Sequence, residues 1–426
     1  MLLPTLVAPP GVARAAGSAP GASGPGAGSV GSFAFAEDAR TVPAATGTAD
    51  AVPLETGRTY RSTLPPGGEA YYRLALDAAS NAYVSATAVP DPGAEVSAVE
   101  GVKVSVQDAE GRLCTSDTAT FGAARSPHPI AAAGAREAGG TRCGGAGTYY
   151  VVVERAGRSD SAPVDWALEL VAVQEPALTR AGATRTPRVW DSATPAPPAD
   201  EPVRRAGGAG FASATTVGQG VWSDDIAPGQ TLFYEVPVDW GRQLSATAEL
   251  GAAASGAGYA VGALDVSLYN PVRGLVAHKG VGYDGTQRAA ALAPLPPADH
   301  ANRHSFTSRV SAMRFAGSYC LVVHLSADVA EEFGDGPFGL TLRVGLRGTA
   351  QEGPAYAGRP VPDGVFEARD GGLAGGGGAV VGGVGGAGDD GAMTAVAVAG
   401  IGGGSAILVG LGVWTVVARR RAGPAG

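Results

Sequence analysis

Lysine is almost absent from this sequence, and histidine and cysteine are scarce. Only two lysines occur, Lys103 and Lys279, so nearly all of the positive charge comes from arginine. The formal net charge is -8 at pH 7, and basic side chains are not concentrated before the last residues of the chain. A surface that neutralises nucleic-acid phosphates needs clustered Lys and Arg. The composition therefore predicts that nucleic acid is not a partner.

Motifs for nucleophilic catalysis and for phosphate binding are also missing. The chain has no GxSxG motif and no P-loop motif, and its five histidines have no Ser or Asp companions at a spacing that indicates a catalytic site. His128 and His278 have no evident partner. Gly383–Gly388 satisfies GxGxxG, but it lacks the preceding strand and following helix that a dinucleotide site needs. We therefore expect neither enzyme activity nor a cofactor.

Two groups of side chains have the chemistry of metal ligands. His300 and His304 are four residues apart, but the Pro-rich context indicates a loop, and no Glu occupies the HExxH position. Glu331, Glu332 and Asp335 carry the oxygen ligands that Ca²⁺ prefers, without the spacing of an EF-hand. Acidic turns of this kind are usually solvated. The sequence predicts no metal site.

The three cysteines fit an oxidising compartment with one bridge and one spare thiol. Cys114 follows a turn, and Cys143 precedes a predicted strand entry, so we predict a structural disulfide between them; two free thiols are the alternative. By the chain-entropy model a bridge closing this loop contributes about 3 to 4 kcal/mol. Cys320 is predicted to be a half-buried structural thiol, with an intermolecular disulfide left open.

One stretch occurs twice. Leu64–Asp77 and Ile226–Asp239 both pass from a Pro-Gly turn into an alternating run that contains an aromatic pair and ends at an aspartate. Alternation with a period of two predicts a half-buried strand. Asp77 and Asp239 occupy equivalent positions, which predicts a turn cap at the end of each strand rather than an acid/base pair.

Four further segments recur in the same order after this strand. Val84–Ala88 matches Leu244–Ala248, the Val-Ser elements of both halves correspond, and the Ala-Gly-Thr/Ser-Tyr entries and the closing alternating strands also match. Duplication explains this order. We predict an all-β chain of two tandem antiparallel jelly-roll-like β-sandwiches, spanning 52–173 and 209–347. A Pro-rich linker over 174–208 leaves their relative orientation open.

These repeated segments resemble the bacterial pre-peptidase C-terminal domain family over residues 55–173 and 218–347. The resemblance implies jelly-roll-like sandwiches that serve as accessory modules of secreted proteins and face carbohydrate or protein. Members usually accompany a peptidase, and no catalytic domain is recognised here.

Ala392–Ala418 holds no charged residue and is long enough to cross a bilayer as a helix. Asp389 and Asp390 precede it, and Arg419–Arg421 follow it, so the positive-inside rule places 419–426 in the cytoplasm. We predict a single-pass cell-membrane protein whose N-terminal bulk is extracytoplasmic. Residues 1–51 indicate a signal-peptide remnant with a flexible lead-in, and residues 348–391 a Gly-rich stalk.

The expected function is that of a non-catalytic binding or scaffolding protein at the cell surface. Its partner is predicted to be an envelope protein, as for an accessory subunit of a secretion or proteolytic complex, or a cell-wall glycan. Solvent-facing aromatics would support recognition, and Tyr60, Trp222 and Trp240 are the candidates from their positions near turns. A place in the core is the alternative for each of them. A hydrolase hidden from the sequence would require a Ser or His cluster in a concave pocket.

Overall fold

The computed structural model describes residues 32–157, 164–186 and 189–369. These residues form four five-stranded sheets, packed as two sandwiches, which confirms the all-β prediction. Within these ranges, every helix is too short or too polar to span a membrane. The predicted span Ala392–Ala418 lies outside the described residues, as do the start of the chain and the second half of the predicted Gly-rich stalk.

The first sandwich contains ten strands in two sheets. Sheet one has the order β1-β3-β10-β5-β8, and sheet two has the order β2-β4-β9-β6-β7. The strands are β1 (Arg40–Thr41), β2 (Val52–Pro53), β3 (Thr59–Leu64), β4 (Glu69–Leu76), β5 (Asn81–Val89), β6 (Gly101–Gln107), β7 (Leu113–Thr120), β8 (Ile130–Arg136), β9 (Gly147–Ala156) and β10 (Trp166–Glu175).

The second sandwich repeats this arrangement strand for strand. Its sheets have the orders β11-β13-β20-β15-β18 and β12-β14-β19-β16-β17. The strands are β11 (Val203–Arg204), β12 (Thr215–Thr216), β13 (Gly220–Ile226), β14 (Thr231–Val238), β15 (Gln243–Leu250), β16 (Ala260–Tyr269), β17 (Leu275–Tyr283), β18 (Arg288–Ala291), β19 (Gly317–Leu325) and β20 (Phe338–Arg347). The helices are α1 (Ser308–Ser311), α2 (Val329–Phe333) and the 3-10 turns Gly122–Ala124, Phe211–Ser213 and His300–His304.

The repeated stretch forms equivalent strands of the two halves. In β4 the inward positions Ala70, Tyr72, Leu74 and Leu76 are buried and alternate with more exposed residues. Burying a large apolar side chain contributes about 1.5 to 3 kcal/mol, which favours this register. At the end of β4, the Asp77 carboxylate accepts hydrogen bonds from the backbone of the next turn, at 2.8 and 2.6 Å, as predicted. The bond from Ser80 lowers the pKa of Asp77.

Each sheet departs from the antiparallel prediction at one edge. The two-residue strands β1 and β2 pair in parallel with β3 and β4, and the second half repeats this with β11 and β12. Sandwich one therefore begins at Arg40, within the segment predicted to be a lead-in, and ends at Glu175.

The segments beside the sandwiches pack against them. Ala36 N donates to Glu169 at 2.8 Å, and the Phe33 ring contacts Phe233. After the last strand, Phe366 stacks on Phe315, and Tyr356 packs beside it. Residues in 32–51 and 348–369 therefore pack on the sandwiches, whereas the sequence indicated a flexible lead-in and a Gly-rich stalk. The Gly- and Ala-rich composition obscures the few aromatic residues that anchor each segment.

Candidate functional site

The two sandwiches meet across the outer face of the β12-β14-β19-β16-β17 sheet. Ala131 of β8 packs in one apolar cluster with residues of that face, and Phe33 and Phe211 cover its edge. The residues of the face are Phe233, Tyr269, Cys320 and Val322. Cys320 is buried in this cluster rather than half-buried, and burial raises the pKa of its thiol. The thiol is protonated at neutral pH and shielded from solvent.

Two histidines stack across the same interface. The imidazoles of His128 and His324 are nearly parallel, with ring centroids 4.3 Å apart. His324 Nδ1 lies 3.1 Å from the Gln230 carbonyl, which can only accept, so Nδ1 carries the proton. Nε2 then accepts from the Ser126 hydroxyl at 2.9 Å. Burial, reinforced by His128, holds the pKa of His324 well below its usual value.

Glu175, at the end of β10, joins three parts of the chain. Its carboxylate is fully buried, and its partners come from the first sandwich, the second sandwich and the segment after β20. They are Asn81 (2.8 Å), Tyr83 (2.7 Å), Arg303 (2.7 Å), Tyr356 (3.1 Å) and His300 (3.5 Å). Burial alone would raise the pKa of Glu175, but contacts from His300, Arg303, Asn81 and Tyr83 outweigh it and lower that pKa.

Two more ion pairs cross the interface. Arg273 Nη1 lies 2.6 Å from the buried Glu169 carboxylate, and Arg314 Nη1 lies 2.6 Å from Glu137. With the apolar cluster and Glu175, these contacts fix the orientation that the Pro-rich linker had left open. The two sandwiches accordingly belong to one compact unit.

A groove of about 520 Å³ opens at one end of this interface. One wall is formed by sandwich one, from Thr118 to Ala124 together with His128 and Ile130. The floor is the outer face of β16 and β17 in sandwich two. A β-bulge in β16 brings Gly262 against Ala124, where an added Cβ would lie 2.9 Å from the Ala124 nitrogen. This close approach brings the floor against the wall.

The floor carries a connected polar group. The Asp265 carboxylate pairs with His278 Nε2 and also accepts from the Ser267 hydroxyl at 3.2 Å. The bond to Asp265 raises the pKa of His278. The sequence interpretation left His278 without a partner, because Asp265 is diagonal to it on the neighbouring strand. Only the register, in which Ser267 opposes His278 and Asp265 opposes Gly280, brings the two together.

Exposed apolar side chains lie beside the polar floor. Tyr259 is 57% exposed, and the phenol end of its ring lies against Gly282. Val261 and Leu275 are also exposed. Tyr259 was missed in the sequence interpretation. The signal that could have identified it is its position between a Gly-rich turn and the start of a strand.

The three aromatic residues predicted to face solvent lie elsewhere. Tyr60 is a core residue, only 3% exposed, which is the alternative that the sequence left open. Trp222 is partly buried, and its indole donates to the Gly218 carbonyl at 3.0 Å. Trp240 is half-buried beside His300, with ring centroids 6.5 Å apart. Strand alternation turned Tyr60 inward, which proximity to a turn alone does not reveal.

Cys114 of β7 and Cys143 form a disulfide, with Cα atoms 5.7 Å apart. The bond ties β7, which leads into the Thr118–Ala124 wall, to the turn before β9. No group of three or more His, Cys, Asp or Glu side chains positioned to hold a metal ion occurs within the described residues. His300, His304 and the acidic residues around Glu331 belong to this part of the chain.

Ser267, Asp265 and His278 are not arranged in the order of a nucleophilic triad. In a nucleophilic triad the imidazole lies between the hydroxyl and the carboxylate, so that it takes the proton of the hydroxyl. Here the carboxylate of Asp265 lies between Ser267 and His278. Ser267 therefore donates to the Asp265 carboxylate and not to the His278 imidazole.

No protein-family model and no curated protein matches the chain. Among solved structures, tripeptidyl peptidase 2 is similar at 11% identity and a TM-score of 0.21, over 69% of this chain and 24% of that one. The CBM22-1-CBM22-2 tandem domain of Paenibacillus barcinonensis Xyn10C is 8% identical with a TM-score of 0.18, over 69% of this chain and 87% of its own.

A third similar structure is the CUB1-EGF-CUB2 domain of human MASP-1/3, 8% identical with a TM-score of 0.17, over 67% of this chain and 98% of its own. The chain spans about a quarter of the length of tripeptidyl peptidase 2. At these scores the similarities carry no argument about fold or function.

Proposed function

We propose that this chain is a non-catalytic binding protein of the cell envelope, and that the groove between its sandwiches is the recognition surface. The observation that carries the proposal is the exposed Tyr259 beside the Asp265–His278 pair in a concave site. Binding sites are typically concave and combine apolar walls with a few convergent polar groups.

The exposure of the groove side chains contrasts with the rest of the sandwiches. Most large apolar residues fill the cores, and other exposed ones such as Val203 and Phe306 lie outside the groove, whereas Tyr259, Val261 and Leu275 are exposed together within it. Clustered exposed apolar side chains are typical of interaction sites. Because the walls come from different sandwiches, the locked interface holds the groove open and preorganised, which lowers the entropic cost of binding.

Placement at the cell envelope depends on sequence features. The apolar run Ala392–Ala418 with its following arginines supports a single membrane span, and the Cys114–Cys143 bond suits an oxidising compartment. The resemblance to pre-peptidase C-terminal domains is in keeping with an extracytoplasmic accessory role. Two kinds of partner fit this location. One is an envelope protein, if the chain is a subunit of a secretion or proteolytic complex, and the other is a cell-wall glycan.

Site-specific photocrosslinking in cells tests the proposal. A photoreactive amino acid replaces Val261 in the groove of the full chain, and a matched variant carries it at Val203 of β11. Both valines are 55% exposed, so accessibility is the same. We expect a defined envelope component to be captured at Val261 and not at Val203. Equal capture at both positions, or none at Val261, would contradict the proposal.

A further inference from the structure

We infer that the groove binds a neutral saccharide chain, laid across the outer face of β16 and β17. This inference rests on the proposed function and names the ligand class of the same site. Four features of the groove support it. The floor is the face of a sheet, an aromatic side chain is exposed beside it, polar groups line both sides, and the charge of the lining disfavours anions.

The floor is a sheet face rather than a sheet edge. β16 pairs with β19 on one side and with β17 on the other, and β17 is the last strand of this sheet. The floor consists of side chains on one face of these two strands, with Asp265 opposite Gly280 and Ser267 opposite His278. An extended peptide is typically captured by adding main-chain hydrogen bonds at an exposed edge. A ligand lying on this face meets side chains and ring surfaces instead. Recognition of that kind favours a saccharide over an extended peptide.

Tyr259 supplies a platform for the apolar face of a sugar ring. Its phenol end lies so close to Gly282 that an added Cβ there would be 2.0 Å from the tyrosine oxygen. Glycine at this position therefore allows the ring to lie against the strand, while more than half of the residue stays exposed. Gly280 is also exposed, and together the two glycines leave a side-chain-free strip beside the ring. A pyranose presents C–H groups that pack on such an aromatic surface.

Polar groups on both sides of the groove suit sugar hydroxyls. Each hydroxyl both donates and accepts, so it is best bound by neighbouring donors and acceptors. The floor offers the carboxylate of Asp265, the imidazole of His278 and the hydroxyl of Ser267. The facing wall offers the exposed Thr118 and Thr120. A chain of sugars lying between the floor and the wall can form hydrogen bonds with the polar groups of both.

The charge of the groove selects against an anionic ligand. Its lining contains neither Lys nor Arg among the described residues, and its carboxylate belongs to Asp265. Phosphate and carboxylate groups are recognised mainly by Arg and Lys. A polyanionic polymer would meet Asp265, and His278, whose pKa is raised by the bond to Asp265, is already paired with that carboxylate. The saccharide is therefore neutral.

Titration calorimetry on the full chain tests this inference. The probes are chito-oligosaccharides, cello-oligosaccharides, manno-oligosaccharides and polysaccharide isolated from the source cell wall. Tyr259→Ala removes the platform, Asp265→Asn alters the polar floor, and Phe306→Ala removes a fully exposed aromatic residue outside the groove lining. We expect at least one probe to bind the wild type and Phe306→Ala equally, and Tyr259→Ala roughly tenfold more weakly. Thermal unfolding of each variant checks that it folds.

The outcomes separate this inference from the proposed function. If none of the probes binds while Val261 crosslinks to an envelope protein, the saccharide is excluded and the binding function stands. Saccharide binding that is unchanged in both Tyr259→Ala and Asp265→Asn would place the ligand elsewhere and overturn the inference. If Val261 captures nothing and none of the probes binds, both proposals fail.

Discussion

The phenol of Tyr234 donates a 2.8 Å hydrogen bond to the buried carboxylate of Asp224, linking β14 to β13 inside the second sandwich. In the first sandwich, Tyr72 makes the equivalent bond to the Ser62 hydroxyl at 2.7 Å. Burial, followed by the charge of Asp224, raises the pKa of Tyr234, so the phenol stays protonated and keeps donating. The duplicated chain thus retains the bond while its acceptor differs between the halves.

This difference predicts unequal costs for the same substitution. Tyr234→Phe takes a donor from a buried carboxylate, which costs about 1 to 3 kcal/mol. Tyr72→Phe takes a donor from a neutral hydroxyl, and we expect a loss of about 1 kcal/mol. Thermal unfolding of the two variants measures the difference. A Tyr72 variant at least as destabilised as the Tyr234 variant would show that the acceptor charge has no role.

Glu175 is expected to hold the two sandwiches together. Glu175→Ala leaves the partly buried Arg303 without its carboxylate, and breaking a pair with one fully buried partner in this way costs up to about 3 kcal/mol. Glu154→Ala, which removes the partner of Lys103 in a half-exposed ion pair within sandwich one, is the control and should cost less than about 1 kcal/mol. Limited proteolysis of the linker should accelerate only in the first variant. Equal protection in both would mean that Glu175 does not contribute to the interface.

The stacked histidines predict a pH dependence of the interface. Burial lowers the pKa of both His128 and His324 from about 6.5, although the nearby Asp265 partly offsets this for His128. A group with a lowered pKa in the folded state stabilises fully above its unfolded pKa, and that contribution falls as the pH drops below it. Stability should therefore decline below about pH 6.5, before carboxylates protonate near pH 4.

Thermal unfolding across pH 5 to 8 measures this decline. A His128→Asn, His324→Gln double variant is the control, because it removes both titrating rings. We expect its melting temperature to vary less over that range than that of the wild type. Profiles of the same slope would assign the decline to other groups.

Gly262 is predicted to control how closely the groove floor meets its wall. The residue has φ of +58°, and an added Cβ would lie 2.9 Å from Ala124 N. We expect Gly262→Ala to cost about 1 to 2 kcal/mol from left-handed backbone strain, and to weaken ligand binding as the wall moves. Gly339→Ala, in β20 with open space around its Cα, is the matched control. Unchanged binding by Gly262→Ala would show that the groove tolerates this movement.

The strands could be predicted from sequence because their signals are local and repeated. Alternation in Glu69–Leu76 recurs in Thr231–Val238, and the order of the matched segments implies one fold used twice. The sequence did not reveal the segments that are held to the sandwiches by single aromatic residues, because those residues occur in Gly- and Ala-rich stretches. Phe33 and Phe366 are examples, since composition averages them away although each packs against another ring.

The candidate site was beyond sequence reasoning for a different reason. Glu175 and Arg303, or His128 and His324, are far apart in the chain, and no spacing rule relates them. The Asp265–His278 pair depends on strand register, which a hairpin sequence does not specify to the residue. Residue pairs that join the two sandwiches can be recognised only when the arrangement of the sandwiches is known. The groove also exists only in that arrangement.

Hydrogen–deuterium exchange of the full chain, with and without isolated cell envelope, tests the central claim most directly. If the groove between the sandwiches is the recognition surface, envelope should slow exchange in Thr118–Ala124 of one sandwich and in β16 and β17 of the other. Protection on both walls, absent in Tyr259→Ala, is the predicted result. Protection confined to one sandwich, or to surfaces away from the groove, would contradict the account.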